Sequence, residues 1–140
     1  MSVRTPAGTV TEAGRTRHRT AQVLLVLAAF GATLAVASAA GAVADAGPDT
    51  RMVETWRLLG FGVFAGVFLL LAYRPRYYAG IWELSIANKC ALSLFALSFG
   101  SDTVGAGTAM IADAAVALML IAAYVLSRGW TAWSTVRTAR

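Results

Sequence analysis

The sequence predicts an all-α fold: a polytopic integral membrane protein organised as a four-helix transmembrane bundle, with both termini on the cytoplasmic side. Three observations carry that expectation. The 140 residues are 58% hydrophobic and only 14% charged, against roughly 45–50% and about 25% in soluble domains. The apolar residues collect into four runs, each of a length suited to about 30 Å of hydrocarbon. The arginines collect at alternate ends of those runs, as the positive-inside rule requires.

Residues 1–20 are polar, with Pro6, Gly8 and Gly14, and end in Arg15, Arg17, His18 and Arg19. So little apolar content cannot form a core, and a disordered basic cytoplasmic tail is expected. Its charges read as a topology signal, and attraction to anionic headgroups comes with them. The first span, about residues 21–44, holds no charge. A secretory signal peptide is the alternative there, with Ala37-Ser38-Ala39 as a small-residue cleavage site. The run exceeds the usual apolar core of about 7–15 residues, which favours a retained span. Either way the next segment begins outside.

Gly47-Pro48-Asp49 marks a turn after the first span. The second span is placed at about residues 56–73. Arg74-Pro75-Arg76 follows, and its proline stops the helix by lacking an amide donor. The third span is placed at about 78–99. Gly100 suits a helix C-cap, and Ser101, Asp102 or Thr103 can cap the next helix. The fourth span is placed at about 104–126, so the transmembrane domain covers 21–126. Residues 127–140 form a short basic and aromatic tail that can lie along the membrane surface.

Nine arginines fall on one side of this arrangement: Arg4, Arg15, Arg17, Arg19, Arg74, Arg76, Arg128, Arg137 and Arg140. Two fall on the other, Arg51 and Arg57, beside Asp45, Asp49, Glu54 and Asp102. The basic side is therefore expected to be cytoplasmic. Trp56 lies at the outer boundary; Tyr73, Tyr77, Tyr78, Trp82, Trp130 and Trp133 lie near the inner one. They read as interfacial anchors, because an apolar ring with a polar tip suits that depth.

Helices in lipid associate through close packing and polar contacts. Gly31, Ala35 and Ala39 repeat every four residues in the first span, and Gly62 and Gly66 do so in the second. Both stripes suit packing within the bundle or self-association.

Ionisable residues inside spans need a reason, since each costs about 2.5–3.5 kcal/mol at a helix centre. Lys89 lies thirteen positions before Asp102 and Asp113 eleven after it. On an antiparallel hairpin their depths differ by about 3 Å. An ion pair facing the interior is expected. Ser85, Lys89 and Ser93 share a helix face bordered by Asn88, and Ala109, Asp113 and Ala117 share another, continued by Tyr124. Such a pair either pins the hairpin in register or serves a proton path, ion path or headgroup pocket. Glu83 and Arg57 read as boundary charges, Glu83 within reach of Arg74, Arg76 or Arg128, and Arg57 three positions from Glu54.

Other chemistries find no residues. His18 is the single histidine and lies outside the spans. A His-ligated metal or haem and a Ser-His-Asp triad inside the membrane are excluded. Cys90 is alone and cannot form an internal disulfide. No catalytic residue, metal or cofactor is expected. The net charge is +5, yet the arginines flank apolar runs instead of forming one basic face. Lipid, not nucleic acid, is the expected partner, with a second copy or another membrane protein as further candidates. The strong preference for Arg over Lys89 as the single lysine points to a high-GC bacterial genome, hence to a bacterial cytoplasmic membrane.

Arg74-Pro75-Arg76-Tyr77, Gly80-Ile81-Trp82-Glu83, Lys89, Ala112-Asp113 and the run Ala122-Ala123-Tyr124-Val125-Leu126-Ser127-Arg128-Gly129-Trp130 together resemble uncharacterised four-helix membrane proteins of actinobacteria. The resemblance covers about residues 56–133. In size and helix count the chain is also distantly similar to the DoxX-like superfamily. That likeness implies, by architecture alone, a subunit of a membrane oxidoreductase with its redox centre on a partner. The residues themselves favour a non-enzymatic structural, accessory or interaction component, with a small transporter or channel subunit using Lys89 and Asp113 as the alternative.

Overall fold

A computed structural model describes residues 12–100 and 102–138. These form four long helices: α1 (Glu12–Asp45), α2 (Arg51–Tyr73), α3 (Ile81–Ser98) and α4 (Ala106–Ser127). A single 3-10 turn, Gly129–Thr131, leads into the short α5 (Ala132–Thr138). α1 packs on α2 and on α4, and α3 packs on α4.

The helices α1, α2 and α4 are each long and apolar enough to cross a membrane. α3 has 18 residues, about 27 Å at 1.5 Å per residue, and Glu83, Asn88 and Lys89 dilute its apolar character. Large apolar side chains stand exposed all along the molecule. Phe30 is 61% exposed, Val63 65%, Leu94 66% and Leu118 68%. In water such a surface would drive association; against lipid tails it is matched to its solvent. Such a surface suits the exterior of a membrane protein.

The buried interior is small and rich in alanine. Ala21, Leu25, Ala28 and Ala29 of α1 meet Phe68 and Leu71 of α2 and Leu120 and Ala123 of α4. Trp82 of α3 is fully buried among them. Alanines let helix backbones approach closely, which is where packing energy comes from when lipid is the alternative.

Several element boundaries differ from those the sequence suggests. α1 begins at Glu12, so Glu12–Thr20 is helical and not a disordered tail; residues 1–11 lie outside the described part. Glu12 suits the positive end of the helix dipole, and arginine is a good helix former. Gln22 also ties this end down, donating to the Ala72 carbonyl at 3.1 Å. α2 begins at Arg51, five residues early. The Gly47–Thr50 turn already delivers a helical hydrogen bond, Arg51 N to Gly47 O at 3.0 Å.

α3 begins later than expected, at Ile81, because the chain first passes through Gly80 at φ +84°. α4 is entered through Gly105 at φ +81°, not through a side-chain cap from Asp102 or Thr103; Ser101 is outside the described residues. Phe99 is the C-cap of α3, and Gly100, expected at that position, follows it at φ +73°. The tail is also more than a surface extension. Arg128 adopts φ 56° and reverses the chain, and α5 brings Trp133 back over Gly80.

Candidate functional site

Lys89 and Asp113 meet directly. The Lys89 Nζ donates to Asp113 Oδ1 at 2.7 Å, with side chains only 7% and 17% exposed. α3 and α4 are antiparallel, and Lys89 and Asp113 lie at similar distances from the turn that joins them, which places the residues side by side. The ammonium also sits 4.4 Å from the centre of the Phe64 ring of α2. A cation over a ring face gains about 0.5–2 kcal/mol, more when water is excluded. Lys89 is thus held by a carboxylate on one helix and a ring on another.

Beside the pair lies a cavity of about 180 Å³. Gly31, Ala32 and Ala35 of α1, and Phe61, Phe64 and Phe68 of α2, form most of its wall. Among the described residues, Lys89 and Asp113 are the charged ones lining it. The small residues of α1 leave the space, since a Cβ on Gly31 would meet nothing within 4 Å.

The residues grouped around this pair do not all belong there. Ser85 is buried on the Lys89 face. Ser93, on the same face, donates to the Met110 carbonyl of α4 at 2.9 Å. Asn88 instead stands on the exposed side of α3, about 100° around the helix from Lys89. It is no part of the cluster. Ala117 is buried near Asp113, while Ala109 is exposed. The contact stripe of α4 runs through Ala106, Ala117, Leu120 and Ala123, so the stripe through Ala109 is corrected to one a step around the helix.

A second polar cluster forms at the end carrying Arg74, Arg76 and Arg128. Glu83 Oε1 accepts from Tyr124 Oη at 2.7 Å and from Trp133 Nε1 at 3.0 Å. No arginine pairs with it among the described residues, contrary to the expectation of Arg74, Arg76 or Arg128. Arg76 Nε donates to the Ser127 carbonyl at 2.7 Å instead. Trp82 is not an interfacial anchor but core, with its Nε1 donating to the Pro75 carbonyl at 2.8 Å. Tyr124 lies 5.6 Å from Trp82 and 5.7 Å from Trp130, ring centre to ring centre. Gly129 makes this possible. A Cβ there would collide with the Tyr124 ring and lie 3.0 Å from Trp82 Nε1.

Sequence patterns signal little of this cluster in advance. Tyr124 and Trp133 reach Glu83 across 41 and 50 residues, and ring donors carry no charge to count. At the opposite end Arg57 and Glu54 pair at 2.6 Å, three residues apart, as their spacing suggests. Tyr73 and Tyr77 are exposed, as anchors would be.

The small-residue stripes divide. Ala39 is buried, and Gly31 and Ala35 line the cavity. Gly62 and Gly66 face outward, and a Cβ on either would meet nothing within 4 Å. Among the described residues no three His, Cys, Asp or Glu side chains group to hold a metal. Comparison with protein-family models, with curated proteins and with solved structures finds no match.

Proposed function

We propose that the chain is a four-helix transmembrane protein of a bacterial cytoplasmic membrane, both termini inside, acting as a non-enzymatic structural or accessory component. In this reading α3 is the fourth span, and Lys89–Asp113 is the pin that lets so polar a helix stay in lipid. The supporting observation is the direct 2.7 Å contact of the two charges with little exposure of either. Each group consumes the other's charge, and Phe64 covers the ammonium. A helix with an unpaired lysine at mid-length would pay the full insertion penalty. A paired one contributes register and partner choice more than stability.

The exposed Gly62 and Gly66 supply a face for a second copy or another membrane protein, since small residues permit close helix contact. The excess of arginine on one side supports the orientation.

The cavity beside the pair favours one second reading, a small transporter or channel subunit in which Asp113 handles a proton or ion. One set of variants separates the two. Lys89→Met and Asp113→Asn are each expected to destabilise the protein in mixed micelles. The double variant should recover much of that loss. If the double variant is as unstable as the summed singles, the pin is wrong. If it folds well in proteoliposomes but abolishes a proton or solute flux that the native protein carries, transport replaces the scaffold. A reporter fused after Arg140 that is active only outside the cell would overturn the orientation.

A further inference from the structure

At the basic end, α1 and the α2–α3 turn enclose a cleft of about 590 Å³. Arg15, His18 and Arg19 come from α1, and Arg74, Arg76 and Tyr77 from the turn. Among the described residues no acidic side chain lines it. The ion pairs found among the described residues involve none of these arginines. Four arginines line it without a counter-charge among the described residues, and an anion between them would offset their mutual repulsion. The turn arginines are also held in place. Arg76 is anchored on the Ser127 carbonyl, and the Arg74 guanidinium carbon lies 5.3 Å from the ring centres of both Tyr73 and Tyr77. A guanidinium stacked on rings keeps its edge donors free for oxyanions. Planar forked donors match phosphate oxygens.

The cleft continues into a second one. Arg19 and Gln22 line both it and a groove of about 350 Å³ whose other walls are Val23, Val26 and Leu27. Arg15, His18, Arg19, Gln22, Val23 and Val26 follow one helix stripe by steps of three and four. That stripe turns from basic to apolar at Gln22. Val23, Val26 and Leu27 are each at least half exposed. The ligand such a surface fits is anionic at one end and hydrocarbon at the other.

We propose that this cleft binds the phosphate of an anionic phospholipid, with an acyl chain lying along the Val23–Leu27 face of α1. The headgroup chemistry is shared with free phosphate; the apolar groove argues for the lipid. α1 has 34 residues and spans about 51 Å, well beyond the hydrocarbon, so its first turns stand at headgroup level when the rest is inserted. The inference rests on the membrane-spanning part of the proposed function and not on the role of Lys89 and Asp113.

The test measures lipid retained by the full chain in mild detergent, using native mass spectrometry with phosphatidylglycerol, phosphatidylcholine and inorganic phosphate as separate probes. Phosphatidylglycerol should bind at one equivalent and the other two should not. Arg15→Gln with Arg19→Gln should weaken it about tenfold or more. Arg17→Gln removes one charge outside the cleft, the match for the single Arg74→Gln variant, and should change binding about twofold at most. Because Arg15, Arg17 and Arg19 are all exposed, these variants leave the packed interior intact. Arg74→Gln is an independent variant from the other wall, with the same loss expected. Equal losses for Arg17→Gln and the cleft variants would reduce the site to diffuse attraction and overturn it. Inorganic phosphate binding as tightly as the lipid would overturn the lipid assignment. Carbonate extraction of the native chain from membranes separates the two levels: a chain that resists extraction but shows no phosphatidylglycerol preference refutes the site alone, whereas a chain that is released refutes the membrane reading beneath it.

Discussion

Lys89 and Glu83 sit six positions apart on one helix and are stabilised by opposite means. Lys89, at mid-length, meets a full counter-charge, Asp113, at 2.7 Å. Glu83, near the start of α3, meets only dipoles: the Tyr124 hydroxyl and the Trp133 indole. Its second oxygen, Oε2, is buried with no hydrogen-bond partner. With α3 as the proposed fourth span, the contrast follows the solvent. At the centre of a bilayer no water can share the charge, and only an opposite charge brings the insertion penalty down. Near the boundary, polar-tipped aromatics suffice, and their rings suit that depth anyway. Lys89 and Asp113 thus tie α3 to α4, whereas Glu83 ties the chain reversal after α4 back onto α3.

The largest expected effect tests the first half of that contrast. Asp113→Leu removes the counter-charge and leaves the Lys89 ammonium against Phe64 alone. Breaking a buried pair by deleting one partner costs about 3–5 kcal/mol, so unfolding in mixed micelles should show a loss of that order. A loss under about 1 kcal/mol would mean that water reaches Lys89 and that the interior is not dry.

Gly129→Ala tests the second half by sterics. Its new Cβ would strike the half-buried Tyr124 ring and crowd Nε1 of the fully buried Trp82. Overpacking of this kind costs about 1–3 kcal/mol. The Tyr124–Glu83 hydrogen bond should be lost with it. Trp fluorescence is the measurement, because Trp82, Trp130 and Trp133 surround the displaced ring. An unshifted spectrum with native stability would show that the reversal is not built on that contact.

Tyr124→Phe is milder, keeping the ring and deleting one donor to Glu83. Interhelical hydrogen bonds in membranes contribute about 0.6 kcal/mol on average and about 1.7 at most, and a loss in that interval is expected. The Lys89 pair, by comparison, should not respond at all, being more than a turn away along α3.

The two regions also differ in how far the amino-acid sequence discloses them. Lys89 and Asp113 are legible because opposite charges at matched distances from a turn constrain depth, and helix rise is fixed. What that arithmetic leaves out is rotation. It places Asn88 beside the pair, when 100° per residue turns it outward, and it sets Ala109 beside the rightly chosen Ala117, when Ala106 is the buried one. Three long apolar helices are equally legible, since composition alone sets them. The early start of α1 is not, because arginines that mark topology also form helix well. The Glu83 cluster is hidden for another reason. It depends on Arg128 entering a left-handed conformation at φ 56°, on Gly129 lacking a side chain, and on a tryptophan returning from α5. Nothing in hydropathy or charge reports a chain reversal made by a non-glycine residue.

The smallest effect bounds the comparison from the other side. Arg57 and Glu54 form an ion pair at 2.6 Å, shorter than the Lys89 pair, with side chains 52% and 21% exposed. Were distance the measure of worth, Arg57→Gln would be the more damaging change. Exposure decides otherwise. At the helix end the guanidinium reaches water, which stabilises it almost as well as the carboxylate does, and pairs three residues apart on a helix surface contribute about 0.2–0.5 kcal/mol. Arg57→Gln should therefore lower stability by no more than about 0.5 kcal/mol, and moderate salt should remove most of that. The check is parallel unfolding of Arg57→Gln and Asp113→Leu at low and high ionic strength. A salt-insensitive loss at Arg57 comparable with that at Asp113 would show this end of α2 to be as dry as the middle of α3, and the placement of the boundary at Trp56 would have to move outward.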